Sequence, residues 1–253
     1  AAALLADARA QGVGGIVIPA VAPANFAAVQ ALAQQSGAYY ALGIHPLYVA
    51  QAGDDAIDQL AAALLQQHTE PKLLAVGEIG LDFFVSALKT EPLRQQQIDC
   101  YRAQIALAQQ YRLPLLLHSR DAVDTVLQAL RAAHFAHGGI AHAFKGSMQQ
   151  AQQFLDLGFK LGFGGACTYS RAVHLQDLAR RLPADAIVME TDSPDMPPTW
   201  IYTPKHMREA GAVPAPNTPL ELPRIAAFIA QLRGVAVDVW MAQQGDEGHV
   251  LAE

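Results

Sequence analysis

Short apolar runs alternate along the chain with longer stretches in which apolar side chains recur every three or four positions. The short runs are typical of buried parallel strands, and the longer stretches are typical of helices that bury one face. The clearest helical stretch, residues 91–111, carries apolar side chains at Ile98, Tyr101, Ile105 and Ala108. This alternation predicts an α/β fold built on a parallel sheet.

The same pattern predicts where each element lies. Eight helices are expected at residues 1–11, 25–35, 54–67, 91–111, 121–133, 148–157, 172–181 and 220–233. Seven strands are expected in VGGIVIPA, YYALGIHP, LLAV, LPLLLHSR, GGIAHAF, the run that ends at Gly162, and ADAIVMETDSP. A (β/α)8 TIM barrel has eight strands, each followed by its helix. Because this chain opens on a helix, we predict a TIM barrel whose first strand would precede Ala1 and is missing here.

Length and composition favour one domain. The chain has 253 residues, 52% of them hydrophobic, and shows no internal repeat or linker. An α/β barrel of this size folds as a single unit. We therefore predict one TIM-barrel domain over residues 1–242 and an irregular tail over residues 243–253, where apolar periodicity ends. The proline-rich segment 193–219, which follows the last predicted strand, is expected to cover a functional pocket.

Charge and cysteine content limit the partners and the compartment. The formal net charge of -6 argues against broad electrostatic coating of nucleic acid but is compatible with a small phosphate-binding pocket. The two cysteines, Cys100 and Cys167, are too far apart in sequence for a zinc knuckle and too few for a disulfide framework. No apolar run reaches the roughly 18 residues of a membrane span. We expect a cytoplasmic monomer with no membrane partner.

Candidate chemistry lies at the ends of the predicted strands. Glu78, His118, His142 and Asp192 each follow an apolar run. Because parallel strands present their carboxyl ends on one face of the fold, these four side chains are expected to converge. Carboxylates bind hard cations and imidazoles suit transition metals, so a mixed set of this kind fits Zn, Mn or Mg.

Five short motifs at these strand ends resemble, in order, the TatD family of metal-dependent deoxyribonucleases. The motifs are GIHP (43–46), GEIGLD (77–82), LLLHSR (115–120), HAF (142–144) and ETDSP (190–194), and the similarity extends to about residue 233. Each motif alone is a weak signal, but five in order are specific. The resemblance implies a TIM-barrel hydrolase of the amidohydrolase type that uses two divalent ions and activated water to cleave the phosphodiester bonds of DNA.

The resemblance also implies a role for each candidate residue. Glu78 would bridge the two ions, and His118 and His142 would bind one of them. Asp192 would bind the other ion and handle the proton of the attacking water, so that Glu78 and Asp192 are the expected catalytic residues. Three further side chains would lie near the substrate phosphate: His45, Arg120 and Lys145.

One departure from the family leaves three functions open. The family's first strand ends in a His-x-His pair that holds the ion shared with Asp192, and this sequence contains no His-x-His. The first interpretation is a nuclease or phosphodiesterase. The second is a hydrolase for a small amide, lactone or phosphoester, because this barrel supports many chemistries. The third is an impaired or non-catalytic barrel. Metal analysis combined with a DNA exonuclease assay distinguishes the three.

Each candidate residue also has a purely structural interpretation. Glu78 would then be a strand-end carboxylate paired with a lysine or arginine, and His118 and His142 would be hydrogen-bonded core histidines. Asp192 would start the turn before Pro194. The remaining structural roles are a loop conformation set by His45 before Pro46, and surface ion pairs of Arg120 with Asp121 or Asp124.

Overall fold

The computed structural model describes residues 2–244 and 249–251. The strands, in chain order, are β1 (Gly15–Pro19), β2 (Tyr39–Leu42), β3 (Leu73–Asp82), β4 (Leu115–Arg120), β5 (Gly139–Ala141), β6 (Phe159–Phe163), β7 (Ile187–Met189) and β8 (His249–Leu251). The helices are α1 (Ala2–Ala10), α2 (Phe26–Ser36), α3 (Ala56–Gln67), α4 (Leu93–Tyr111), α5 (Val123–Ala132), α6 (Met148–Asp156), α7 (Val173–Arg181), α8 (Lys205–Glu209), α9 (Leu222–Arg233) and α10 (Val237–Gln243).

The chain divides into two compact units. One unit, called here the site unit, is Val17–Leu161, and the other, called the terminal unit, comprises Ala1–Ile16 and Gly162–Glu253. The single domain predicted over residues 1–242 stays a prediction.

The site unit contains parallel strands that pair in chain order. Strand β2 pairs with β1 and β3, β4 pairs with β3 and β5, and β5 pairs with β6. Helices α2 to α6 connect successive strands. Parallel pairing requires such crossover connections, because the chain must return to the same end of the sheet before the next strand begins. The alternation confirms the predicted α/β class.

Helix α4 buries the apolar stripe that the sequence predicts. Ile98, Tyr101, Ile105 and Ala108 are each at most 9% exposed. The same buried side of the helix also carries two glutamines, Gln97 and Gln104, each 1% exposed. Their amides bond to the ends of neighbouring segments that carry candidate site residues.

The terminal unit is tied together by a few specific contacts. The Arg233 guanidinium at the end of α9 donates to the carbonyls of Ala179 (2.6 Å) and Leu182 (2.9 Å), beside the end of α7. The indole of Trp240 in α10 is fully buried, and its N–H lies 3.3 Å from the sulfur of Met189 in β7. These contacts fix α9 to the end of α7 and α10 to β7.

Three elements differ from the sequence prediction. Helices α8 and α10 are short and were not predicted. The predicted irregular tail, residues 243–253, lies partly outside the described residues, and within it His249–Leu251 form β8, which is next to β1 in the strand order. A strand of three residues is defined by pairing with a distant backbone rather than by local periodicity, so the apolar pattern contains no signal for it.

Among the helices of residues 2–244, none is by itself long and apolar enough to cross a membrane; Pro219–Arg233 and Val237–Gln243 meet that test only as a pair, with a 100° bend between them.

Candidate metal centre

Strand β3 brings Glu78 into the interior through two close approaches to β4. A Cβ atom at Gly77 would collide with the side chain of Leu116, and one at Gly80 would collide with the carbonyl oxygen of His118. The register between the two strands shifts in this stretch. Glycine on either side of Glu78 therefore lets the two backbones approach at the point where both carry candidate site residues.

Replacing Gly80 with alanine is expected to destabilise the protein. Gly80 has a φ of +143°, which L side chains rarely adopt, and the added methyl group would meet the His118 carbonyl. We expect a loss of about 1–3 kcal/mol in the free energy of unfolding, measured by urea denaturation. Gly14→Ala is the matched control, because a Cβ there meets nothing within 4 Å. Equal stability of the two variants would contradict the close approach.

Three imidazoles converge on one oxygen of Glu78. Its Oε1 lies 3.0 Å from His142 Nε2, 3.1 Å from His118 Nδ1 and 3.6 Å from His45 Nε2. The Glu78 side chain is 1% exposed, and its Oε2 has no hydrogen-bond partner among the described residues. The structure thus brings together Glu78, His118 and His142, three of the four residues predicted to bind metal.

The electrostatics of this cluster favour the charged forms. Burial alone would raise the pKa of Glu78, but the attraction of His142 and hydrogen bonds from all three imidazoles outweigh it and hold that pKa well below its usual value. Burial opposes charge on His118 as well, yet its bonds to Asp82 and Glu78 raise its pKa. Positive charge is therefore stabilised next to the Glu78 carboxylate, where a bound cation would also be stabilised.

Asp82 is a member of the cluster that the sequence analysis missed. Its Oδ2 lies 3.2 Å from His118 Nε2, and its Oδ1 accepts the backbone N–H groups of Phe84 (3.0 Å) and Val85 (3.1 Å). Burial would raise the pKa of Asp82, but these bonds lower it, so the group is a carboxylate. The available signal was strand periodicity, because Glu78 and Asp82 lie four residues apart on β3 and so tend to face the same side.

Asp82 determines which nitrogen of His118 is free to bind a cation. An ionised carboxylate only accepts hydrogen bonds, so Nε2 of His118 must carry a proton. Glu78 is ionised as well and faces Nδ1 at 3.1 Å, so the metal-free ring carries protons on both nitrogens, and a cation would displace the proton on Nδ1 while Asp82 retains the one on Nε2. The contact therefore orients His118 in the tautomer that a metal ligand requires.

The two buried glutamines of α4 hold the segments around the cluster. Gln97 accepts the backbone N–H of Asp82 (2.9 Å) and donates to the carbonyl of Leu88 (2.9 Å). Gln104 accepts the N–H of Ile44 (2.7 Å) and donates to its carbonyl (3.1 Å). One helix face thus fixes both the end of β3 and the loop that carries His45.

The three predicted phosphate-binding residues occupy different environments. His45 is 7% exposed and accepts the N–H of Leu47 at Nδ1 (3.1 Å), so its other nitrogen, Nε2, carries the proton in the neutral ring and points at Glu78. His45 is grouped by distance with Glu78 and His118 as a possible metal site. Its protonated Nε2, however, suits a hydrogen-bond donor.

Arg120 and Lys145 are exposed, and neither forms an ion pair with any residue in 2–244.

Asp192 belongs to the terminal unit. It is 7% exposed and lies between two other buried polar residues, Thr191 and Ser193, whose hydroxyls are 3.0 Å apart. The Asn217 amide donates to the Thr191 carbonyl (2.7 Å) and to that of Asp195, fixing this segment. The predicted role of Asp192 as a metal ligand stays a prediction.

The residues around Glu78 fit a divalent ion. The set offers one carboxylate and two imidazoles, which are ligands for transition metals. The orphaned Oε2 of Glu78 is the decisive feature, because an unpartnered buried carboxylate oxygen costs free energy unless something binds it. A cation bound by Glu78 through Oε2, with His118 and His142 as further ligands, would satisfy this oxygen, and it would replace the protons that the imidazoles now share with Oε1.

Metal affinity is expected to rise with pH. The pKa of His118 is raised from its usual value of about 6.5, so this ring is still protonated at a pH somewhat above 6.5. A metal ion must therefore displace that proton in order to bind. Affinity should therefore increase about tenfold per pH unit for each displaced proton, until the pH exceeds the raised pKa. Calorimetric titration with Mn²⁺ at pH 6 to 8, in two buffers of different ionisation enthalpy, measures both affinity and proton release. A pH-independent affinity without proton release would contradict the geometry.

Sequence comparison identifies a protein family and individual proteins that this chain resembles. A family model described as TatD related DNase matches residues 1–244. The uncharacterized metal-dependent hydrolase YjjV of Escherichia coli (strain K12) is 38% identical over 237 residues, which cover 93% of this chain and 85% of that protein. The 3'-5' ssDNA/RNA exonuclease TatD of Klebsiella pneumoniae (strain 342) is 32% identical over 246 residues, covering 96% and 88%.

Solved structures show the same fold. The crystal structure of YjjV, a TatD homologue from Escherichia coli K12, matches with a TM-score of 0.83 at 36% identity and covers 95% of this chain and 87% of that one. A TatD family hydrolase from Entamoeba histolytica matches with a TM-score of 0.79 at 20% identity, covering 96% and 85%, which bears on the fold alone. These matches confirm the predicted type of α/β fold.

Proposed function

This chain belongs to the TatD family of metal-dependent hydrolases, and we propose on that premise that its substrate is DNA, whose phosphodiester bonds it cleaves. The observation that carries the proposal is the convergence of His118 and His142 on Glu78, whose second oxygen has no partner among the described residues. A relative whose name specifies activity on ssDNA and RNA supports nucleic acid as the substrate.

Glu78, His118 and His142 would hold a divalent ion in this hydrolase, with Mg, Mn or Zn as the candidates. The family resemblance predicts two ions, with Asp192 as a ligand of the second. When bound, divalent ions lower the pKa of water and neutralise charge on the attacking and leaving oxygens of a phosphoryl displacement.

The other side chains would bind and orient the phosphate. His45 would offer a phosphate oxygen the Nε2 proton that faces Glu78 in the metal-free site, because its Nδ1 is occupied by the Leu47 N–H. Arg120 and Lys145 are cations without carboxylate partners in the described chain. They would therefore supply local positive charge for a phosphate on a protein whose net charge is -6. Asp192 is proposed to accept the proton of the attacking water.

An end-labelled single-stranded oligonucleotide tests this function. Protein stripped of metal and then supplied with Mn²⁺, Mg²⁺ or Zn²⁺ should shorten the strand stepwise, and EDTA should stop the reaction. Labels at the 5' and 3' ends in separate reactions give the direction of degradation, and phosphorothioate linkages at one end should block an exonuclease that starts there. Metal-dependent hydrolysis of small esters without any cleavage of DNA would contradict the proposal.

A further inference from the structure

We propose that Phe84, with the Arg120 guanidinium stacked on one ring face, is the platform on which an unpaired base of the substrate strand stacks. This inference rests on the proposed function, since it assigns a subsite for a nucleobase beside the same metal centre. It concerns two side chains of the site unit: Phe84, two residues beyond the end of β3, and Arg120, the last residue of β4.

The platform is an exposed ring with one face already covered. The Phe84 side chain is 53% exposed, although it is a large apolar group. The guanidinium carbon of Arg120 lies 3.6 Å from the centre of the ring, the distance of a close cation–π contact. With one face held by Arg120, the ring is oriented and a flat partner can stack only on the other face.

The platform and the metal centre share one rigid support. Asp82, which bonds His118 through one carboxylate oxygen, accepts the backbone N–H of Phe84 with the other (3.0 Å). Asp82 also lies opposite Arg120 in the sheet register, and the Arg120 carbonyl accepts the N–H of Phe83 (2.9 Å). Phe84 is two residues beyond Asp82, so their Cα atoms are at most about 7 Å apart. A strand whose phosphate lies at the metal centre would thus have a neighbouring base close to Phe84.

Arg120 serves both the ring and the phosphate in this arrangement. A stacked guanidinium is planar and keeps its N–H donors at its edge, where they point away from the ring face and are free for a phosphate. Arg120 forms no ion pair with Asp121, Asp124 or any other described carboxylate. Every base has a π face, so stacking here would favour an unpaired strand without selecting a sequence.

Fluorescence anisotropy in EDTA tests the platform without requiring cleavage. The probes are a labelled oligothymidylate of about eight nucleotides and the same backbone with abasic residues. Wild-type protein should bind the base-bearing strand about 5- to 100-fold more tightly, and Phe84→Ala should bring this ratio close to one. Phe84→Trp should restore it. Leu65→Ala, at a side chain of α3 that is 64% exposed, is the control for loss of exposed apolar surface and should keep the wild-type ratio.

The outcomes separate this inference from the proposed function. If Phe84→Ala keeps the wild-type ratio, or if Phe84→Trp fails to restore it, the platform is refuted even where DNA is cleaved. If the ratio changes as expected but no DNA is cleaved with any metal, the cleavage proposal fails and the platform stands. A wild-type ratio of one would also overturn the platform.

Discussion

Glu78→Gln is expected to reduce metal-dependent hydrolysis by at least about 1,000-fold. The Glu78 carboxylate is the common partner of His118 and His142, and its second oxygen is the orphaned acceptor that a cation would satisfy. Glutamine keeps the shape but removes the charge, so the ion loses the one carboxylate among its three expected ligands, Glu78, His118 and His142. Loss of a metal-generated nucleophile and of charge neutralisation corresponds to several kcal/mol of activation free energy.

The measurement is kcat/KM on an oligonucleotide with saturating metal, together with metal content after dialysis. Glu209→Gln is the matched control, because that carboxylate is exposed and its ion pair within residues 2–244 is with Lys205 on α8. Circular dichroism and thermal unfolding without metal verify that Glu78→Gln is folded. If a folded Glu78→Gln variant kept activity within tenfold of wild type, Glu78 would not be a ligand of the catalytic ion.

Asp82→Asn is expected to weaken metal binding by about 10- to 100-fold without disturbing the turn after β3. The N–H groups of Phe84 and Val85 require an acceptor, so the amide oxygen of the asparagine must face them. Its NH₂ group then faces His118 and donates to Nε2. That bond moves the ring proton to Nδ1, the nitrogen that must be unprotonated to bind a cation.

Long-range ¹H–¹⁵N correlation spectra of the histidine rings report this change directly. Metal-free wild-type protein at a pH below the raised pKa of His118 should show protons on both ring nitrogens, and Asp82→Asn should show a proton on Nδ1 alone. Calorimetry with Mn²⁺ gives the affinities. Asp99→Asn on the exposed face of α4, where the aspartate bonds only to Gln95, is the control and should match wild type. An unchanged tautomer with unchanged affinity would show that Asp82 does not position His118.

The sequence predicted the centre of the site because its logic follows from topology. Glu78, His118 and His142 each end an apolar run, and parallel strands bring such ends together whatever the intervening sequence. The apolar stripe of α4 was predicted for a similar reason, because a helix that buries one face carries apolar residues every three or four positions. The TatD motifs pointed to the same residues and to the same fold.

The polar support of the site was not predictable from periodicity. Gln97 and Gln104 interrupt a buried helix face, and their purpose depends on which backbone groups at Asp82 and Ile44 are left unpaired by the sheet. Strand periodicity indicates that Asp82 faces the same side of β3 as Glu78, but its bond to His118 depends on how the neighbouring strand packs. Such contacts are set by tertiary packing, and no local pattern encodes them.

The short elements were missed for a related reason. Helix α8 has five residues, too few for a periodic signal, and none of them is buried. Helix α10 is fixed by a single buried side chain, Trp240, rather than by an apolar stripe. Strand β8 depends on a backbone partner far away in sequence.

Anomalous diffraction from crystals grown with Zn²⁺ or Mn²⁺ would locate the bound ion. We expect an anomalous peak about 2.0–2.2 Å from a Glu78 carboxylate oxygen, His118 Nδ1 and His142 Nε2. An ion bound to the active protein elsewhere, with these three side chains still bonded only to one another, would contradict it.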